Sequence, residues 1–242
     1  MTVAESFEKA QNAIWHDEHG SVVSVTFNPG ASPSEIAVVE LAAGKRLPAD
    51  FREILSLCSS VEGAPFEVDF KGRMGEQFAV DIMPFSVVFA EDGAGNAWCV
   101  DISNDREVES TIYYVSHDPP MVLFQCTGIA TFLEELTRAG GKFRRSALFD
   151  VAEDRLFDVW SKNPGVLTNG QAHAAGSELA AFAQELDPGF LIVDLRTAKP
   201  GMGFTWGRFG PDTVCRRFGN HRIYAYAPPK KKPGLLSRLF GR

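Results

Sequence analysis

The stretch from Pro84 to His117 constrains the chain most. Three apolar, β-rich runs, Phe85–Ala90, Trp98–Ile102 and Ile112–Ser116, are separated by turn chemistry and a charged loop. Gly93, Gly95 and Asn96 tolerate positive φ at little cost, so the chain can reverse between the first two runs. Three consecutive strands follow from this pattern, and they form the middle of a sheet.

The segments before and after supply the helices that such a sheet packs against. Ser6–Trp15 reads as a short helix with Phe7, Ala10 and Ile14 on one face, and Val22–Phe27 as an alternating strand ended by Asn28-Pro29-Gly30. Ser32-Pro33-Ser34-Glu35 is a helix start, with Ser32 and Glu35 placed for a capping box and Pro33 in the first turn. Gly44 stops that helix. Pro48 opens another, whose Phe51, Ile54, Leu55 and Cys58 follow helical spacing. Phe66–Gly75 is irregular and allows a short edge strand, and Phe78–Ile82 reads as a strand. Asp118-Pro119-Pro120 interrupts the sheet before a returning strand, Met121–Gln125. Thr127 is placed to cap a helix carrying Ile129, Phe132, Leu133 and Leu136 inward, which Gly140-Gly141 ends.

Beyond Gly141 the pattern changes to a smaller unit. Leu148–Trp160 and a segment opening at Ser177 read as helices, and Phe190–Leu195 as a buried strand. Gly203–Phe209, Thr213–Phe218 and Arg222–Ala227 read as a meander. The expected fold class is α+β, a mixed or antiparallel sheet with packed helices over residues 1–141. A small α+β unit at 142–227 and a tail at 228–242 follow, and the first two units can share one core.

Charge and cysteine usage narrow the function. The net charge is −7, and the last fifteen residues hold five Lys/Arg and no acid, so the rest of the chain carries −12. Such a body is a poor general nucleic-acid binder and a good partner for something basic. Cys58, Cys99, Cys126 and Cys215 form no CxxC pair, so no metal site is expected, and His16 and His19 read as a solvated helix end. The first ten residues lack the apolar core of a signal peptide, and no run is long enough to span a membrane, which points to a reduced, cytoplasmic protein. Cys99 lies between Trp98 and Val100 and reads as buried, so Cys99 with His117 is not read as a nucleophile–base pair. Asp92-Gly93-Ala94-Gly95-Asn96 lacks the acid spacing of a calcium loop and reads as a capped hairpin. In the C-terminal meander, Trp206, Arg208, Arg216, Arg217, Arg222, Tyr224 and Tyr226 read as a sheet with aromatics inward and Arg outward rather than as a nucleic-acid platform.

Two segments together carry a resemblance. Gly44-Lys45-Arg46-Leu47-Pro48-Ala49-Asp50-Phe51 and Val88-Phe89-Ala90-Glu91-Asp92-Gly93-Ala94-Gly95-Asn96-Ala97-Trp98-Cys99-Val100-Asp101 resemble the SMI1/KNR4, or SUKH, superfamily. The run Tyr113–Asp118 and the Phe132-Leu133 helix continue the likeness in order, over residues 32 to 140. Val61-Glu62-Gly63 departs from the Asn-Gly pair that many members carry. The resemblance implies an α+β fold and a non-enzymatic, protein-binding role without cofactors. In bacteria that role is immunity, by binding and occluding a toxin; in fungi, relatives are regulatory interaction proteins.

Two sets of residues follow as candidates. An acidic face of Glu91, Asp92, Asp101, Asp105, Glu107 and Glu109 is expected to meet a basic toxin such as a nuclease. Lys230, Lys231, Lys232, Leu235, Leu236, Leu239 and Phe240 form a basic, apolar tail suited to a partner groove or a membrane surface, which would tether a regulatory protein instead.

Overall fold

The computed structural model describes residues 1–74, 83–103 and 109–229. The chain is an α+β protein. In order, its elements are α1 (Val3–Gln11), β1 (Trp15–His16), β2 (Val22–Val23), β3 (Thr26–Pro29), α2 (Pro33–Ala43), α3 (Ala49–Leu57), β4 (Cys58–Glu62), β5 (Glu67–Met74), β6 (Ser86–Glu91), β7 (Ala97–Asp101), β8 (Thr111–His117), β9 (Pro120–Thr127) and α4 (Ile129–Ala139). Then come α5 (Ala147–Phe149), a π-helical segment (Asp150–Arg155), α6 (Leu156–Lys162), β10 (Val166–Thr168), α7 (Asn169–Ala174), α8 (Ser177–Gln184), β11 (Leu191–Asp194), β12 (Gly203–Phe204), β13 (Val214–Arg217) and β14 (Ile223–Ala227).

Among the described residues, eight strands form one sheet in the order β12-β9-β8-β7-β6-β5-β4-β3, and four form a second, β10-β11-β14-β13. The described pairings are all antiparallel. Strand alternation sorts their side chains into three cores. Trp98 and Val100 of β7, with Ile112 and Tyr114 of β8, face a core they share with Phe7, Phe51, Leu55, Phe132 and Leu136 of the helices. Ala97, Cys99, Tyr113 and Val115 face the opposite way and meet Val193, Tyr224 and Tyr226 of the second sheet. Ile223, Ala225 and Ala227, the alternate positions of β14, pack with Leu179, Phe182 and Ala183 of α8. The layers therefore run helix, sheet, sheet, helix. Strands buried on both faces read as continuous apolar runs, which is why the 85–116 region stood out.

The Leu47-Pro48-Ala49-Asp50-Phe51 motif has a structural task. The Asp50 carboxylate accepts from Ser110 N, Ser110 Oγ and Ile129 N at 2.8–3.0 Å. One side chain thus fixes the start of β8 and satisfies the first turn of α4, whose N-cap position is Gly128 with no side-chain cap of its own. Thr127 does not cap α4. Ser32 and Glu35 do close the expected capping box on α2, with Pro33 in its first turn.

Several boundaries differ from expectation. α1 ends at Gln11 rather than reaching Trp15. Trp15 instead starts β1, and its ring fills the space beside Gly140, where a Cβ would lie 2.0 Å from it. The 22–27 strand is split into β2 and β3. The 148–160 helix contains the π-helical turn, and its Trp160 is half-exposed rather than inward. The sequence pattern missed β10 and α7, although Thr168 and Gln171 form a capping box. The expected strand Gly203–Phe209 is only Gly203–Phe204. It belongs to the first sheet, paired with Val122 and Leu123 of β9. The expected strand Phe78–Ile82 lies outside the described residues.

Candidate partner-binding site

The six acids expected to share a face are not brought together. The β6–β7 pairing sets Glu91 opposite Ala97 and Ser86 opposite Asp101, so Glu91 and Asp101 sit at opposite ends of the hairpin, roughly 14 Å apart along the strand.

Asp92 is committed to the turn. Its carboxylate accepts from Ala94 N at 2.8 Å, Asn96 N at 3.1 Å, Asn96 Nδ2 at 2.8 Å and Tyr114 Oη at 2.8 Å. Asn96 Oδ1 in turn accepts from His117 N at 3.2 Å. Gly93 and Gly95 both take positive φ. The capped-hairpin reading of this loop accounts for all its side-chain oxygens. Burial, with the Asp92 hydrogen bond adding to it, pushes the Tyr114 hydroxyl far above its ordinary pKa.

Asp101 points inward, which corrects its place on an outer face. It is 5% exposed, pairs with Arg217 at 2.8 Å and accepts from Ser103 N at 3.0 Å. Arg217 is drawn in from the second sheet. It donates to Ser103 Oγ, His221 O and Asn220 O, and lies 5.3 Å over the Tyr224 ring. The expectation of arginines outward on this meander fails at Arg217 and holds at its exposed neighbour Arg216. Burial costs the guanidinium, but the neighbouring Tyr224 and Asp101 outweigh that cost and hold its pKa above the ordinary value. The Tyr224 hydroxyl reaches Tyr113 Oη at 3.3 Å, extending the buried polar cluster between the sheets.

Glu109 is exposed just before β8, while Asp105 and Glu107, like the tail candidates Lys230–Lys232, Leu235, Leu236, Leu239 and Phe240, lie outside the described residues. Cys99 and His117 are separated as well. Cys99 pairs with Tyr113 and His117 lies four residues further along β8, roughly 14 Å away. Burial, with Asp101 adding to it, pushes the Cys99 thiol far above its ordinary pKa, the opposite of an activated nucleophile.

Glu91 alone of the six joins a different group. β5 pairs with β6 at Glu67↔Glu91 and Val68↔Ala90, then resumes at Arg73↔Val88, so four residues of β5, Asp69–Gly72, oppose Phe89 alone. This bulge opens a cleft of about 540 Å³ on the sheet. Gly72 makes the bulge possible: its φ is 63°, and a Cβ there would lie 2.4 Å from Val87 Cγ1. Phe66, Val68 and Phe89 contribute apolar lining, and Glu62, Glu67, Asp69 and Glu91 supply the charge. No Lys or Arg is among the described lining residues. Lys71, on the bulge, reaches instead to Glu35 of α2 at 3.4 Å. Glu67 and Glu91 are directly opposed across the strands.

The sequence reading missed Glu62, Glu67 and Asp69. The signal was present in the alternation Phe66-Glu67-Val68-Asp69-Phe70, apolar inward and acidic outward, within a stretch read as irregular. Among the described residues, no group of three or more His, Cys, Asp or Glu could hold a metal ion.

No curated protein and no solved structure matches the chain. The profile of the SMI1 / KNR4 family (SUKH-1) matches residues 30–135, which run from the start of α2 through the Asp50 motif and the whole acidic cleft into α4. This segment of the chain belongs to the SMI1 / KNR4 family (SUKH-1).

Proposed function

We propose that the chain is a non-enzymatic, cytoplasmic protein-binding module of the immunity type, which occludes a basic toxin through the cleft between β4, β5 and β6. The observation that carries this reading is the concentration of Glu62, Glu67, Asp69 and Glu91 around one cleft of the sheet. A Lys- or Arg-bearing segment of a nuclease-like toxin would meet Glu62, Glu67 and Asp69 across the open face of β4 and β5. Charge of one sign over the surface speeds encounter more than it strengthens the final complex.

The test is affinity capture from lysate of the source organism together with effectors of related strains, followed by binding kinetics on what is captured. A stoichiometric toxin domain whose association slows about ten-fold or more at low salt when all four acids become Gln supports the reading. A captured toxin that binds the four-Gln variant unchanged removes the cleft from the interface. Absence of any toxin removes the immunity role.

The composition of residues 230–242 supports a second reading, a regulatory protein tethered through its tail. Envelope proteins held by the full chain and lost when Lys230–Arg242 is deleted would favour it.

A further inference from the structure

A second charged surface lies at the other end of α4 and has the opposite sign. The chain there reads Arg138-Ala139-Gly140-Gly141-Lys142-Phe143-Arg144-Arg145, with no acid between Glu135 and Asp150. It curls around a shallow concavity of about 450 Å³ lined by Arg138, Gly141 and Lys142–Arg145. Phe143 is 83% exposed at its tip.

This presentation is built. Arg144 N donates to Gly141 O at 2.9 Å, and Arg144 sits in the left-handed region at φ 48°, which a non-glycine residue adopts at a cost. Its guanidinium is held 4.8 Å over the Phe149 ring. Ser146 Oγ donates to Glu135 O at 2.7 Å, and Ala147 N to Glu135 Oε2 at 2.6 Å, anchoring the far end. The loop is thus fixed on both sides while its aromatic ring faces solvent.

A second exposed apolar residue lies on the segment that packs beside Gly140. Ile14, 69% exposed, precedes Trp15, whose ring packs beside Gly140, and His16 N donates to Gly140 O at 2.7 Å. Glu135 takes Arg138, Ser146 and Ala147, Asp17 accepts from His19 N and Ser21 N in its own turn, and Glu18 lies exposed beside His19.

We infer that this loop docks the protein on the anionic surface of a lipid bilayer, with Phe143 and Ile14 entering the interfacial layer and Lys142, Arg144 and Arg145 meeting headgroup phosphates. The physical basis is additive: each Lys or Arg held near an anionic surface strengthens binding about five-fold, and apolar side chains that reach the acyl boundary make the contact persist. The inference uses residues outside the lining of the acidic cleft and does not depend on the toxin reading. Among the described residues no helix is long and apolar enough to cross a membrane, so the contact is peripheral.

The experiment is co-sedimentation of the full chain with vesicles of phosphatidylcholine alone and of phosphatidylcholine with phosphatidylglycerol. Binding to the anionic vesicles only is expected. It should fall about five-fold for each of Lys142→Gln and Arg145→Gln and about ten-fold for Phe143→Ala. Thermal unfolding of each variant shows whether it stays folded. In Phe143→Trp, anionic vesicles should shift the emission to the blue, and brominated lipid should quench it beyond the wild-type change. Equal binding to both vesicles, no binding, or binding that none of the loop variants alters would overturn the inference; the last result would assign lipid contact to the tail. Loss of single-stranded oligonucleotide binding in Phe143→Ala, with vesicle binding intact, would overturn it in favour of base stacking.

Discussion

Over β7, β8 and β9, the side chains that turn away from the helices are Ala97, Cys99, Tyr113, Val115, Val122 and Phe124, packed against the second sheet. Over β4 and β5 the corresponding positions are Glu62, Glu67 and Asp69, exposed. The backbone is the same antiparallel ladder in both halves. Where both phases of the alternation are apolar, another layer must cover the strand; where one phase is acidic, water or a partner must. The covered half also holds a buried ion pair, Arg217 with Asp101, between its layers, whereas the open half sets Glu67 opposite Glu91.

The most forceful way to break this contrast is to remove Arg217. Arg217→Ala would leave Asp101 buried without its cation and should cost about 3–5 kcal/mol in denaturant unfolding. Pairing Arg217→Met with Asp101→Leu should recover much of that loss, since a buried pair replaced by apolar packing is close to neutral. A loss well under 1 kcal/mol for Arg217→Ala would mean the two sheets are held by apolar contact alone.

Alkaline titration probes burial in both halves more gently. Burial raises the Tyr113 and Tyr224 hydroxyls above their ordinary value of 10.0, and the Cys58 thiol from 9.0 to about 11. Each folded pKa lies above its unfolded value, so the contribution is complete at neutral pH and is lost as pH rises past about 9–10. Tyrosinate absorbance at high pH should therefore appear in step with unfolding. Tyrosines that titrate normally in an intact fold would show that the sheets do not seal them.

The smallest effect belongs to the open half. Glu67→Gln removes the repulsion from Glu91 and should raise stability by about 0.2–1 kcal/mol, measured by the same unfolding. A loss of stability would show that Glu67 gains more from the folded sheet than it suffers from Glu91.

These contrasts explain which parts of the molecule the sequence could reveal. The central hairpin was legible because Asp92, Gly93, Gly95 and Asn96 encode their turn locally, and α2 because Ser32 and Glu35 cap it locally. The period-2 apolar phases of 97–101 and 111–117 announced strands. Arg217 was not legible: it and Arg216 are adjacent and identical in type, and Asp101, far away in sequence, decides which one turns inward. Trp15 looked helical by spacing until Gly140 supplied its pocket. The cleft was hidden because the bulge at Asp69–Gly72 spoils the regularity by which strands are recognised, and that same irregularity opens the cleft.

The outermost strands of the large sheet have a consequence of another kind. β12 is two residues long, and its Gly203 approaches β9 so closely that a Cβ would lie 2.0 Å from Val122 O. β3 is four residues long, slips register and ends in Pro29. Neither border offers a long ladder of unpaired amides and carbonyls, so another chain cannot readily extend the sheet by adding a strand. Recognition has to come from side chains across a face. A fragment cut at Gly141 would lose β12, baring the border of β9 together with Tyr113, Val115 and Phe124, and would present a sticky template where the whole chain presents a closed one.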